Sequence, residues 1–328
     1  MTLHERLRTS VTYLDATEPA QLLTPGAKQP SVSAAGQELK HCAELLALLS
    51  LNSETPTWSS DAGKALEHRV VAAADGLAVL CAAQSAVACI ASKTAILDSA
   101  RAALTAAAAV AQQAEAHSAE SSDSGRQLLV RATAAAGAAC ERCSTAASLH
   151  PCAATARALV NAGASVKNAV SEAKQMLAPA AEREENCVEE DDDSCGFDEK
   201  ATPHEAGVIV AAIPLLDTCL AVLQPVLRGL ADKQKAGGEV PIAALDALVH
   251  SYTRLAADVD GFTAALWPPQ EEELLRRHCT AMVPEAHGLQ LAMAGLMQDE
   301  QYMAALRATC DSMAAHATAC SAALIASR

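Results

Sequence analysis

The sequence predicts an all-α protein: two antiparallel helical bundles, of about five and about four helices, joined by an acidic linker. Three observations predict it. Apolar residues recur at steps of three and four along most of the chain, the spacing that places them on one face of a helix. Alanine, the strongest helix former, supplies 77 of the 328 residues. Aromatic residues make up only 2%, beside 15 Gly and 13 Pro, too few for a β-sandwich with its aromatic, β-branched and turn residues. The length suits about two domains at roughly 150 residues each. An apolar share of 51% can bury a core.

The elements follow in order. Pro25-Gly26 ends a first short segment. Leu39, Cys42, Leu46 and Leu49 then mark one helical stripe. The stretch from Asn52 to Thr57, with Pro56, separates that helix from the next, which Ser60 or Asp61 can cap. The long run from Ala100 to Glu120 supplies helix length with little bulk, and its small side chains allow close approach of neighbouring helices. Ser118 to Gly125 is a polar turn. His150-Pro151 restarts a helix, with proline suited to the first turn. Leu159, Gly163, Val166, Val170, Ala173 and Leu177 form its stripe, and Pro179 ends it.

Glu182 to Glu199 then carries ten acids and one base, a block that repels itself and reads as a linker. Beyond it, Thr202-Pro203-His204-Glu205 has the form of a capping box with proline at the first helical position. The predicted organisation is therefore an N-terminal bundle over 1–181, a linker over 182–201 and a C-terminal bundle over 202–328. In that last part Gly237-Gly238 is a turn, and Pro241 stands at a helix start. Leu245, Val249, Tyr252, Ala256, Val259, Phe262 and Leu266 form a stripe that Trp267-Pro268-Pro269 stops. Gln270 to Glu273 opens another helix with acids in its first turn, favourable to the dipole. Pro284 and Gly295 are candidate bends or breaks.

Charge and motifs bound the function. The net charge is −15, and the densest basic spot is Arg276-Arg277, so no basic face is available for nucleic acid. The stretch Ala206 to Leu227 is 22 residues with the single charge Asp217. A mid-span aspartate costs about 3 kcal/mol in a membrane, and Pro214 and Pro225 interrupt the stretch, so a buried central helix is expected. The first eight residues, Met1 to Arg8, precede no apolar run, which predicts no secretory signal. The twelve cysteines are then expected as reduced thiols in cytoplasm or nucleus. No phosphate loop, nucleophile elbow, dinucleotide turn or zinc-protease motif occurs, and no catalytic residue or cofactor is expected.

Cys140 and Cys143, with His150 and Cys152, are the best candidate metal ligands: a Cys-x-x-Cys knuckle plus two further soft or borderline donors suits tetrahedral zinc. The alternative is that they are small packing residues on a helix. Cys81, Cys89, Cys310 and Cys320 read as core thiols. Cys187 and Cys195 flank the acid run, where a reactive thiolate is disfavoured. Glu189 to Asp193 lacks the ligand alternation of a calcium loop. His278 and His316 read as helix-surface or core residues. Thr24-Pro25 and Thr202-Pro203 are minimal phosphorylation sites, with Thr202 as a plain N-cap the alternative reading.

The layout resembles the cyclin-D-binding protein family. The residues that carry the likeness are the acidic linker ending in Gly196-Phe197, the capped apolar helix after it, and a helix bearing Asp246, Asp258 and Asp260 that stops at Trp267-Pro268-Pro269. The segment Val32 to Val110 is similar to the family's N-terminal region in helix order. The resemblance implies a vinculin/α-catenin-type helical-bundle fold. It also implies a non-enzymatic negative regulator of cell-cycle progression and transcription, binding D-type cyclins or helix-loop-helix factors in cytoplasm and nucleus. The alternatives are a cytoskeletal scaffold of vinculin type, or a zinc- or thiol-dependent sensor using Cys140, Cys143, His150 and Cys152.

Overall fold

The computed structural model describes residues 2–16, 31–52, 60–119, 122–177, 201–297 and 299–325. Every regular element among them is an α-helix. The chain divides into two compact units, Met1–Ala154 and Thr155–Arg328.

The first unit holds α1 (Leu3–Ala16), α2 (Val32–Asn52), α3 (Asp61–Ala86), α4 (Ile90–Ala119) and α5 (Asp123–Ser148). Helix α4 is its spine, packing against α1, α2, α3 and α5. The residues that make this possible are small: Ala100, Ala103, Ala107, Ala108, Ala111 and Ala114 are buried along it, with Leu104 and Val110 among them. Alanine leaves the neighbouring backbones room to close in, and leucines from the surrounding helices fill the interior: Leu7, Leu39, Leu46, Leu77 and Leu129. Ser60 and Ser122 cap α3 and α5, their hydroxyls accepting from the Gly63 and Gly125 amides at 3.1 and 3.0 Å.

The second unit takes α6 (Pro151–Met176) from near its start, then α7 (Pro203–Ala221), α8 (Leu223–Ala236), α9 (Ile242–Ala265), α10 (Glu272–Leu296) and α11 (Glu300–Ile325). Its core carries more bulk, with Tyr252, Phe262, Met282 and Met293 buried beside Ile209, Leu215 and Leu255. α9 packs on α10, α10 on α11, and α11 on α7. α6 belongs here through Gly163, whose Cα faces the Leu223 side chain and the Tyr252 hydroxyl, and through a Lys174–Asp217 ion pair of 2.9 Å.

This corrects the expected N-terminal bundle over 1–181. The stripe that predicted α6 says which face is buried but not against which helices, and its partners lie in the later sequence. The acidic stretch expected as linker falls outside the described residues. After residue 202 there are five helices where about four were expected, because the apolar run past Thr202 is two helices meeting at Val222. Pro284 and Gly295 do not break α10. It runs through both, held by buried Cys279, Met282, Leu289 and Met293. The break between α3 and α4 had no proline or glycine to announce it. By contrast, Gly237 and Gly238 end α8 with φ of +68° and +85°, a backbone that side chains disfavour.

Among the described residues, three stretches are long and apolar enough, by length and composition, to cross a membrane: α3, Ile90–His117 of α4, and Pro203–Ala236 across α7 and α8. In the fold, the apolar side of the last is packed: Val208, Ile209, Ala212, Leu215, Leu216 and Cys219 are all buried.

Two expectations follow. The Thr202 hydroxyl accepts from the Glu205 amide at 3.2 Å, while the Glu205 carboxylate accepts from the Thr202 amide at 2.8 Å and the Gln270 amide at 3.0 Å. These bonds, that from Thr202 foremost, hold Glu205 below the usual carboxylate range. Thr202→Ala should cost about 1 kcal/mol in urea denaturation at neutral pH. A group with a depressed folded pKa stabilises the fold above its unfolded value, so the Glu205 contribution should fade as pH drops through the depressed range. A Thr202→Ala cost that grows toward acid would contradict this. Second, the Tyr252 hydroxyl is buried without a hydrogen-bond partner. Tyr252→Phe should therefore leave stability unchanged or raise it by up to about 1 kcal/mol, whereas loss of that size would reveal a hidden partner.

Candidate functional site

The proposed metal ligands do not converge. Cys140 and Cys143 lie buried on α5, and the Cys143 sulfur meets that of Cys81 on α3 at 3.8 Å. His150 serves the backbone: its Nδ1 accepts from the Cys152 amide at 3.2 Å, as a cap at the start of α6. Among the described residues no three His, Cys, Asp or Glu side chains come together as a metal would require. The zinc arrangement of Cys140, Cys143, His150 and Cys152 is thus corrected. The helix break at Leu149–His150 points the chain onward into α6 instead of turning it back on the Cys140–Cys143 pair.

The thiols belong to the core. All ten described cysteines are buried, Cys81, Cys89, Cys310 and Cys320 included. Burial pushes Cys42 up to about 11, Cys140 to about 12, Cys219 to about 12 and Cys310 to about 11. The hydrogen bond to Cys143, with burial, also raises Cys81. Cys187 and Cys195 lie outside the described residues, as do Thr24 and the run Glu189–Asp193.

Trp267, Pro268 and Pro269 follow the end of α9. The indole Nε1 of Trp267 donates to Glu172 on α6 at 2.6 Å. After Pro268 and Pro269, the Gln270 amide side chain donates to the Glu205 and Leu266 carbonyls, both at 3.1 Å, tying the start of α7 to this corner. Thr202 is the N-cap described above. His278 packs its ring against Gly261 and its Nδ1 lies 3.1 Å from Asp258, a partly buried link between α9 and α10.

The feature with the chemistry of a binding surface is on α2, and motif reasoning did not find it. Leu48 projects outward, 53% exposed. On one side of it an apolar groove of about 550 Å³ opens between α2 and α3, lined by Leu45, Leu48, Leu49, Ala62, Ala65 and Leu66. On the other, a second of about 650 Å³ opens between α2 and α5, with Leu48, Leu51, Ala47, Val130 and Ala134 in its walls. Val130, also 53% exposed, projects from the α5 side. Ion pairs stand at the rims: Arg69–Glu38 from α3 to α2 and Lys40–Glu141 from α2 to α5, both at 2.6 Å. The Lys40 stem crosses over Gly137, where there is no side chain to obstruct it. A signal was present in the sequence. Leu45, Leu46, Leu48, Leu49 and Leu51 fall within seven residues, more leucines than one helix face can bury.

No protein-family model matches the chain, and no curated protein is similar to it.

Burial sets a testable reactivity. Under native conditions the ten described cysteines should resist an aromatic disulfide reagent at pH 8 and react only as denaturant opens the helices. Rapid native labelling mapped to Cys81 or Cys143 would contradict their placement.

Proposed function

We propose that this chain is a non-enzymatic protein-interaction regulator of the cyclin-D-binding type. In this reading it restrains cell-cycle progression or transcription by binding helical segments of D-type cyclins or helix-loop-helix factors, in cytoplasm and nucleus. Two helical bundles of vinculin/α-catenin type, with the acidic stretch 182–201 between α6 and α7 in the sequence of the second, would present the binding faces.

The observation that carries the reading is the exposed Leu48 ridge with an apolar groove on each side. A groove between two helices, apolar along its floor and charged at its rims, is the surface on which an amphipathic helix lays its apolar face. The acidic charge and the absence of a basic region are in keeping with capturing protein partners and not reading DNA.

The test is recovery of partners from native cells with the full chain as bait. A D-type cyclin or helix-loop-helix protein should be recovered, and Leu48→Glu should reduce that recovery at least about tenfold, the size of effect a central apolar contact carries. Circular dichroism should show helicity unchanged, since Leu48 is already exposed. Recovery of no such partner, or equal recovery with Leu48→Glu, would overturn the reading.

A further inference from the structure

A second surface feature, in the other unit, has a different chemistry. Between α6 and α9 lies a cleft of about 310 Å³, lined by Ser165, Asn168 and Glu172 from α6 and Asp260 and Thr263 from α9, with Ala169 and Ala264 between them. Its two charged residues are both carboxylates. Asp260 has no ion-pair partner among the described residues, and burial together with the neighbouring Glu172 charge raises its pKa. Glu172 accepts the Trp267 indole N–H, which fixes the carboxylate without neutralising it. Negative charge is therefore concentrated here against its own repulsion.

Thr263 supplies an independent observation. Several threonines in these helices turn the hydroxyl back to the carbonyl four residues earlier, Thr133 to Leu129, Thr218 to Pro214, Thr280 to Arg276 and Thr309 to Ala305, at 2.7 to 3.0 Å, whereas the hydroxyls of Thr155 and Thr263 are buried without a partner. Thr263 is only 2% exposed, and it lines the cleft. A buried hydroxyl left unpaired costs free energy that a bound polar group would recover.

We propose that this cleft binds the guanidinium group of an arginine-like ligand. The charge calls for a cation, and two further features select its kind. The volume is about ten times a water's share of roughly 30 Å³, room for a side-chain-sized group and not a bare ion. The oxygens come from two helices and include neutral ones, Ser165, Asn168 and Thr263, which suits the several N–H donors of a guanidinium. A calcium ion would instead need six to eight oxygens closed around it at about 2.3–2.6 Å. Trp267, 37% exposed, donates its indole N–H to one of the two carboxylates and so can report on a ligand held there. The inference stands apart from the α2 groove and does not depend on which partner occupies that groove.

The chain has two tryptophans, Trp58 and Trp267, so Trp58→Phe makes Trp267 the sole reporter. That variant of the full chain is titrated, at constant ionic strength, with agmatine and with N-acetyl-arginine amide. The emission of Trp267 should change saturably with both guanidinium ligands, and a preference for one tells a free metabolite from a peptide side chain. Adding Asp260→Asn should weaken binding at least about tenfold, and adding Thr263→Val about threefold, with helicity unchanged. Tetramethylammonium, which carries charge without N–H donors, should not saturate. Absence of saturable binding, equal binding by the Asp260→Asn variant, or saturation by calcium in place of the guanidinium ligands would overturn the proposal.

Discussion

The constraint on which the whole fold rests is the small size of alanine. A buried apolar side chain stabilises in proportion to the area it removes from water, about 25 cal/mol per Å², and alanine offers little. The fold compensates with length and proximity. α4 runs 30 residues and touches four other helices. Each of its buried alanines is a place where two backbones come close, so packing attraction between main chains substitutes for bulky side-chain contact. The arrangement has a consequence for tolerance. A leucine introduced at Ala103 or Ala107 would have no space to enter, because the space was removed by the approach of the neighbouring helices.

The same economy of volume accounts for the thiols. Cysteine is a small apolar residue that fits where alanine leaves a gap and leucine overfills it. Cys81 and Cys143 occupy such a place between α3 and α5. Gln84 of α3, one turn beyond Cys81, donates to the Ala147 carbonyl of α5 at 2.6 Å. Cys219 similarly sets its sulfur 3.9 Å from that of Met282, linking α7 and α10. A core made in this way has many sulfur atoms, and at Cys42, Cys140, Cys219 and Cys310 burial outweighs any neighbouring charge and raises the thiol, which is the opposite of a reactive-cysteine environment.

How much of this was legible in the sequence depended on whether the controlling interaction was local. The capping box at Thr202–Glu205, the Ser60 cap and the Gly237-Gly238 stop are contacts within a few residues, and they read directly. The stripe of α6 also read as a buried face, with Leu159, Val166, Val170 and Ala173 inside and Leu177 at its end exposed. What it covers did not, because an alanine-rich face is nearly featureless and carries no shape that selects one neighbour over another. The stripe alone therefore does not say which helices α6 packs against. The zinc candidates failed for a related reason. Cys140 and Cys143 share a helix face, as their spacing requires, but the chain beyond Ser148 proceeds to a new helix. The α6–α9 cleft was not legible at all, since Glu172 and Asp260 are far apart in sequence and only tertiary packing brings them together.

In a chain short of bulky residues, the location of the leucines carries more information than it would elsewhere. The interior of the first unit is closed largely with alanine, yet Leu48 stands in solvent and Leu45, Leu49 and Leu51 are only half-buried on the same helix. Packing of the unit alone does not require them there: Leu39, Leu46 and Cys42 already complete the inward face of α2. A scattered exposed leucine needs no explanation, but a contiguous ridge with grooves along both flanks is a surface whose burial would be favourable. The rim ion pairs fit that interpretation. Arg69–Glu38 and Lys40–Glu141 are too exposed to add much stability, but their charges would set the register of an incoming helix whose own edges are charged. The apolar ridge supplies affinity and the paired charges supply orientation, a division of labour that the internal stability of the bundle leaves free.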